Sequence, residues 1–253
     1  MSKICWQGSG MPQYSKRQIL AIWVAAAVPM GLMAWCIAPH FSHGGTDPVS
    51  FAKWLIGGLT AGLVWQGILV LGLVWRERGD LRWTTLKQAL WLHAPSEPHT
   101  GKKNHWIWLI CLPLSAGFWL AASIPEIAHD PYRDFGFFLQ SEAGQSFFAG
   151  NWVWYGIVIV MLLFNTVLGE ELLFRGLLLP RMNGAFGQLD WLVNGVMFAC
   201  YHLHTPWVIP AAVLDALWLA APSKRYRSAW IGIAIHSTPS VLILILLFPL
   251  VFV

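Results

Sequence analysis

Apolar runs alternate with short polar stretches along the whole chain. Runs near residues 19–38, 52–75, 105–124 and 152–180 come close to or exceed the ~20 helical residues that cross a hydrocarbon core of roughly 30 Å. Three more follow near 190–204, 207–222 and 228–252, the second of them short and bounded by Pro206, Pro210 and Pro222. The pattern predicts an all-α, polytopic membrane helix bundle of seven transmembrane helices. Pro239 falls inside the last run and can kink it or divide it, which would make eight. Residues 1–18 are polar, lack the apolar region and cleavage site of a signal peptide, and read as a cytoplasmic tail. The 76–104 connection is basic and reads as a solvated linker at the inner headgroups, while the 125–151 connection is acidic and rich in Gly and Phe. The sequence contains no internal repeat.

Composition agrees with this class. Of 253 residues, 57% are hydrophobic and 11% charged, against roughly a quarter charged in soluble domains. The formal charge of +4 is too small to argue for nucleic acid, so membrane lipids are the expected surroundings. Placed on a seven-helix path with the N-terminus inside, Lys and Arg fall on the inner segments, leaving only Lys53 and Arg133 outside. That bias predicts an integral, multi-pass protein with a cytoplasmic N-terminus. Cys5, Cys36, Cys111 and Cys200 show no CxxC or metal spacing and read as unpaired thiols.

Against this apolar background, Glu170, Glu171 and Arg175 stand out, because each bare charge in hydrocarbon costs several kcal/mol. On a regular helix Glu171 and Arg175 are i and i+4 in the favourable order and pair. Glu170, about 100° around the helix, needs a partner from elsewhere. His202, preceded at i−4 by Phe198, and His236, followed at i+4 by Ser240, are the candidates. Counting helical rise from inner-face markers puts Glu170, His202 and His236 roughly 17, 18 and 14 Å deep, in one layer. A carboxylate and an imidazole meeting at one water can activate it as a nucleophile, and a second histidine with a nearby hydroxyl can stabilise an oxyanion. The same set would also hold a divalent ion. Outside this layer, His204 reads as a helix-end residue, Asp215 as either a functional acid or a helix partner, and His40 and His43 as part of a solvated Gly-containing turn.

Glu170-Glu171-Leu172-Leu173-Phe174-Arg175, Phe198 to His202 and His236 to Ser240 resemble, in order, the EExxxR, FxxxH and HxxxN motifs of the CPBP family of intramembrane proteases, the CAAX prenyl endopeptidase type related to Rce1 and to bacterial Abi and lysostaphin-resistance proteins. The likeness covers about residues 150 to 245. It implies that 151–253 is the catalytic helix core and 1–150 a tail with three transmembrane helices and loops. It implies an intramembrane endopeptidase acting on membrane-associated or lipidated, CAAX-type peptides. Glu170 would be the general base, His202 would hold the attacking water, His236 would stabilise the oxyanion, and Glu171 and Arg175 would support Glu170. Ser240 replaces the family's usual Asn as second oxyanion donor. If a metal such as zinc is used, Glu170, His202 and His236 would bind it. A bacterial cell membrane is the expected location in preference to the ER. The competing readings are a non-catalytic immunity, sorting or scaffold factor of the same fold and, more weakly, proton-coupled transport.

Overall fold

The computed structural model describes residues 11–42, 44, 47–121 and 123–252; Lys3, Cys5, His43 and Gly45 lie outside them. The described chain is all-α. Its main helices are α1 (Lys16–Phe41), α2 (Pro48–Arg78), α3 (His105–Ala121), α4 (Trp152–Arg181), α5 (Asp190–Tyr201), α6 (Pro206–Ala212), α7 (Ala216–Tyr226) and α8 (Ala229–Val251). Local chemistry sets several ends. Ser15 and Gln18 form a reciprocal capping box ahead of α1. Asp47 caps α2 through the Val49 amide at 3.0 Å, and Gly79 closes α2 at φ 74°, a left-handed conformation that suits glycine.

Every apolar run becomes helix, but not every helix is a crossing. Among the described residues four helices, α1, α2, α4 and α8, are long and apolar enough to span, or five if α6 and α7 are one span bent by 50°. The polytopic helix bundle is as expected, with four to five helices of spanning length and further, shorter apolar helices such as α3 beside them. The α5 helix stops at Tyr201 after 12 residues, a rise of roughly 18 Å. The chain then reverses through residues 202–205, and α6 and α7 return beside α5. The α3 helix is short in residues, but its first six are wound as a 3₁₀ helix, which stretches it to roughly 28 Å.

The split anticipated at Pro239 does not occur, since α8 runs unbroken from Ala229 to Val251. Proline removes the N–H that would bond the carbonyl of Ile235. The Thr238 hydroxyl donates to that carbonyl instead, at 2.8 Å, while Trp119 of α3 donates to Thr238 at 3.0 Å.

The two ends of the bundle differ in chemistry. At one end Tyr14 N–H donates to Arg181 O (2.9 Å), Ser96 N–H to Tyr226 O (3.1 Å) and Ala229 N–H to Trp91 O (3.0 Å). Lys224 pairs there with Asp190. The 76–104 connection is therefore a packed cap and not a solvated linker. Ala89 and Leu90 are buried, and Ala89 O accepts from Arg181 Nη1 at 2.9 Å. At the other end Arg133 lies over the rings of Trp35 and Phe51 (4.4 and 5.5 Å), Lys53 over Phe147 (5.4 Å), and His129 against Trp207 (5.4 Å). Charge bookkeeping on the sequence sorts the basic residues between these same two ends. Along α1, Leu20, Val24, Val28, Leu32 and Trp35 form an exposed apolar stripe, a surface suited to lipid contact. The chain is thus an integral membrane protein.

Candidate active site

The helix that carries the paired glutamates is not regular. Wider π turns, with i→i+5 bonding, occupy Phe164–Gly169 and Leu172–Leu178 on either side of Glu170-Glu171. Glu170, Glu171 and Arg175 are all at most 1% exposed. Glu171 and Arg175 do meet, Oε1 to Nη1 at 3.3 Å. The widened turn leaves this a charge contact, and none of the three Arg175 nitrogens makes a hydrogen bond among the described residues. The guanidinium instead lies 4.0 Å over the Phe198 ring, where the π face offers a second attraction.

Glu171 supports His236. The imidazole Nδ1 lies 3.0 Å from Glu171 Oε1. The approach is possible because Gly232, one turn earlier on α8, leaves room: a Cβ there would fall 2.3 Å from Glu171 Oε2. Glu170 finds its partner across the bundle as its spacing requires, but the partner is Tyr201. The phenol hydroxyl lies beside the Glu170 carboxylate and accepts a bond from Gln66 Nε2 of α2 at 2.6 Å. Neither Tyr201 nor Gln66 is singled out by the motifs. Gln66 does carry a signal, an amide in the middle of an apolar run, and Tyr201 a weaker one, a phenol whose hydroxyl needs a buried partner.

His202 sits just past the end of α5 with ψ 41°, and its Nδ1 lies 3.0 Å from Phe198 O. A carbonyl only accepts, so Nδ1 carries the proton and Nε2 of the neutral ring is left as a base. Because the helix ends at Tyr201, His204 does not point to the opposite side. Its ring stacks on that of His202 at 5.5 Å and 28°, on the wall of a separate, largely apolar cavity.

His202 and His236 share the wall of a cavity of about 210 Å³ with Phe198 and Asp215. Phe118 and Ala121 of α3 and the following Ile124 and Glu126 complete one side. The Phe198 ring stands between the two imidazoles, 4.9 Å from His202 and 5.7 Å from His236. Asp215 is 6% exposed. Glu170 and Ser240 are not on this wall, although Ser240 is buried one turn beyond His236. His40 is exposed at the end of α1, in keeping with a solvated turn, and Cys36, Cys111 and Cys200 are free.

The expected metal set does not gather. Among the described residues, Glu126, His129 and Asp134 have donor atoms within 4.8 Å of one another, and Glu170, His202 and His236 form no such group. Nδ1 of both histidines is already engaged by protein oxygens.

The fold and site define a polytopic membrane protein with a buried carboxylate and imidazole centre at the meeting of α4, α5 and α8. Residues 151–242, which run from the start of α4 into α8, match the family described as Rce1-like, type II CAAX prenyl endopeptidase. This stretch is similar to a protease family, which supports a hydrolase. No curated protein and no solved structure matches the chain.

Proposed function

We propose that the protein is an intramembrane endopeptidase that hydrolyses peptide bonds of membrane-associated or lipidated, CAAX-type substrates with a water activated by protein side chains. The observation that carries this reading is the shared cavity of His202 and His236, with a carboxylate set on His236 Nδ1. In the reaction, the oxygen of a water held by His202 Nε2 attacks the scissile carbonyl carbon and its proton passes to Glu170. Glu170 Oε2 is buried without a hydrogen-bond partner among the described residues and is free to accept that proton. With Nδ1–H committed to Glu171, His236 donates to the oxyanion from Nε2 as an imidazolium. Collapse of the tetrahedral intermediate breaks the C–N bond, and the proton on Glu170 leaves with the amine. Glu170 and Ser240 both stand behind the cavity wall, so the water reaches Glu170 past the histidines, and His236 is the oxyanion donor on the wall itself.

In the same proposal the N-terminus lies on the cytoplasmic side of a bacterial cell membrane, with lipids and the peptide substrate as partners; the bias of Lys and Arg toward one end supports that orientation. The position of Ser240 favours one second reading, a non-catalytic immunity or sorting factor. Purified protein in detergent decides between them. Cleavage of a lipidated peptide is expected to fall at least about 100-fold in Glu170→Ala, His202→Ala and His236→Ala, with the melting temperature preserved. Full activity in all three variants would reject the catalytic assignment, and cellular activity surviving Glu170→Gln would favour the second reading.

A further inference from the structure

The cavity wall carries a carboxyl group that the proposed hydrolysis does not use. Asp215 lies between α6 and α7, is 6% exposed and lines the cavity with His202 and His236. No hydrogen bond or ion pair holds it among the described residues, and the charges of Arg175, Glu171 and Glu170 act on it across the site. Arg175 is already engaged with Glu171 and the face of Phe198. A buried carboxyl without a donor lacks the compensation that buried polar groups normally have. On the cavity lining its partner is water or a donor group of a bound substrate.

We infer that the cavity selects a substrate with a lysine or arginine beside the scissile bond, and that Asp215 receives its cationic group. The inference rests on the endopeptidase reading and narrows its substrate class. Two further features point to a cation. Glu126 is an exposed residue on the lining, so approach to the cavity passes a second carboxylate, and like-signed walls concentrate ligands of opposite charge. The aromatic ring of Phe118 adds a π face on the same wall, compatible with the stem of a long basic side chain. A neutral side chain would leave Asp215 uncompensated, and an acidic one would set a third carboxylate against Asp215 and Glu126.

The test uses the full-length protein in detergent and a farnesyl-cysteine peptide in three versions, with lysine, norleucine or glutamate next to the modified cysteine. Binding and cleavage are measured separately. The lysine peptide is expected to exceed norleucine at least about tenfold in affinity and in kcat/KM, and glutamate to be the poorest. In Asp215→Asn, which keeps the shape and removes the charge, the lysine-to-norleucine ratio should fall to about one, and in Glu126→Gln it should fall only partly. Equal binding of lysine and norleucine peptides by the unmodified protein would overturn the inference, whether or not the Asp215 variant folds. So would a preference that survives in folded Asp215→Asn. A lysine preference in binding without cleavage of any peptide would uphold the role of Asp215 and reject the endopeptidase reading.

Discussion

Gly232 shows how a single missing methyl group can serve the site. A Cβ at this position would stand 2.3 Å from Glu171 Oε2, so Gly232→Ala must push the carboxylate away from α8 and from His236 Nδ1. The expected result is at least about a tenfold loss of kcat with a small change in KM, measured on the lipidated peptide, since the His236 contact is proposed to act on the transition state. Gly195 makes a useful control. Its Cβ would meet Ala216 Cα at 2.4 Å and Cβ at 2.3 Å, so Gly195→Ala must separate the backbones of α5 and α7 and should lower the melting temperature. Tyr201→Phe tests the other carboxylate. It removes the hydroxyl beside Glu170 and leaves Gln66 Nε2 without its acceptor. Thermal unfolding in detergent should show a loss of about 1–3 kcal/mol, together with slower cleavage.

At the scale of the helices, the basic end is fastened by Arg181. The side chain is fully buried and makes a two-pronged pair with Glu77 of α2, Nε to Oε1 at 3.0 Å and Nη2 to Oε2 at 2.7 Å, while Nη1 reaches Leu177 O and Ala89 O. Glu77→Ala would strand the guanidinium and should cost about 3–5 kcal/mol. Replacing both partners by apolar residues should restore much of that loss, and a double-mutant cycle of melting temperatures checks it. Nearby, burial holds the imidazole of His93 below its ordinary value. The unfolded chain therefore binds the extra proton, and stability should fall as pH drops through the unfolded value of about 6.5; a His93→Gln variant should flatten that slope. The charged residues of the site are legible in the sequence because a bare Glu or His in an apolar run is costly enough to need a reason. Gln66 and Tyr201 are less legible, since an amide or phenol at such a position costs less and is common without a role. Helix ends and widened turns are not written in hydropathy at all. The sequence marks a helix end near His204, ahead of Pro206, but not its position three residues earlier at Tyr201, and at Pro239 a neighbouring hydroxyl cancels the break that proline alone predicts.

Across the whole molecule, the two ends carry the orientation. The N-terminal stretch, the 76–104 cap and the α4–α5 and α7–α8 connections meet at one end and hold Lys16, Arg17, Arg76, Arg78, Arg82 and Lys224. Lys53 and Arg133 sit at the other, and the last residues of α8 lie there too, with Phe248 6.1 Å from Trp152 at the start of α4. An excess of Lys and Arg on one side directs that side to the cytoplasm. The cavity that holds His202, His236 and Asp215 is walled by Ile124 and Glu126, which follow α3 away from the basic end. Orientation thus decides from which side a peptide reaches the site. In a variant lacking its native cysteines, a membrane-impermeant maleimide should label Lys53→Cys on intact cells and Arg78→Cys only after the cells are opened. The reverse pattern would invert the protein in the membrane. It would also turn the Glu126 side of the cavity toward the cytoplasm, so that the same experiment fixes the compartment from which substrates are drawn.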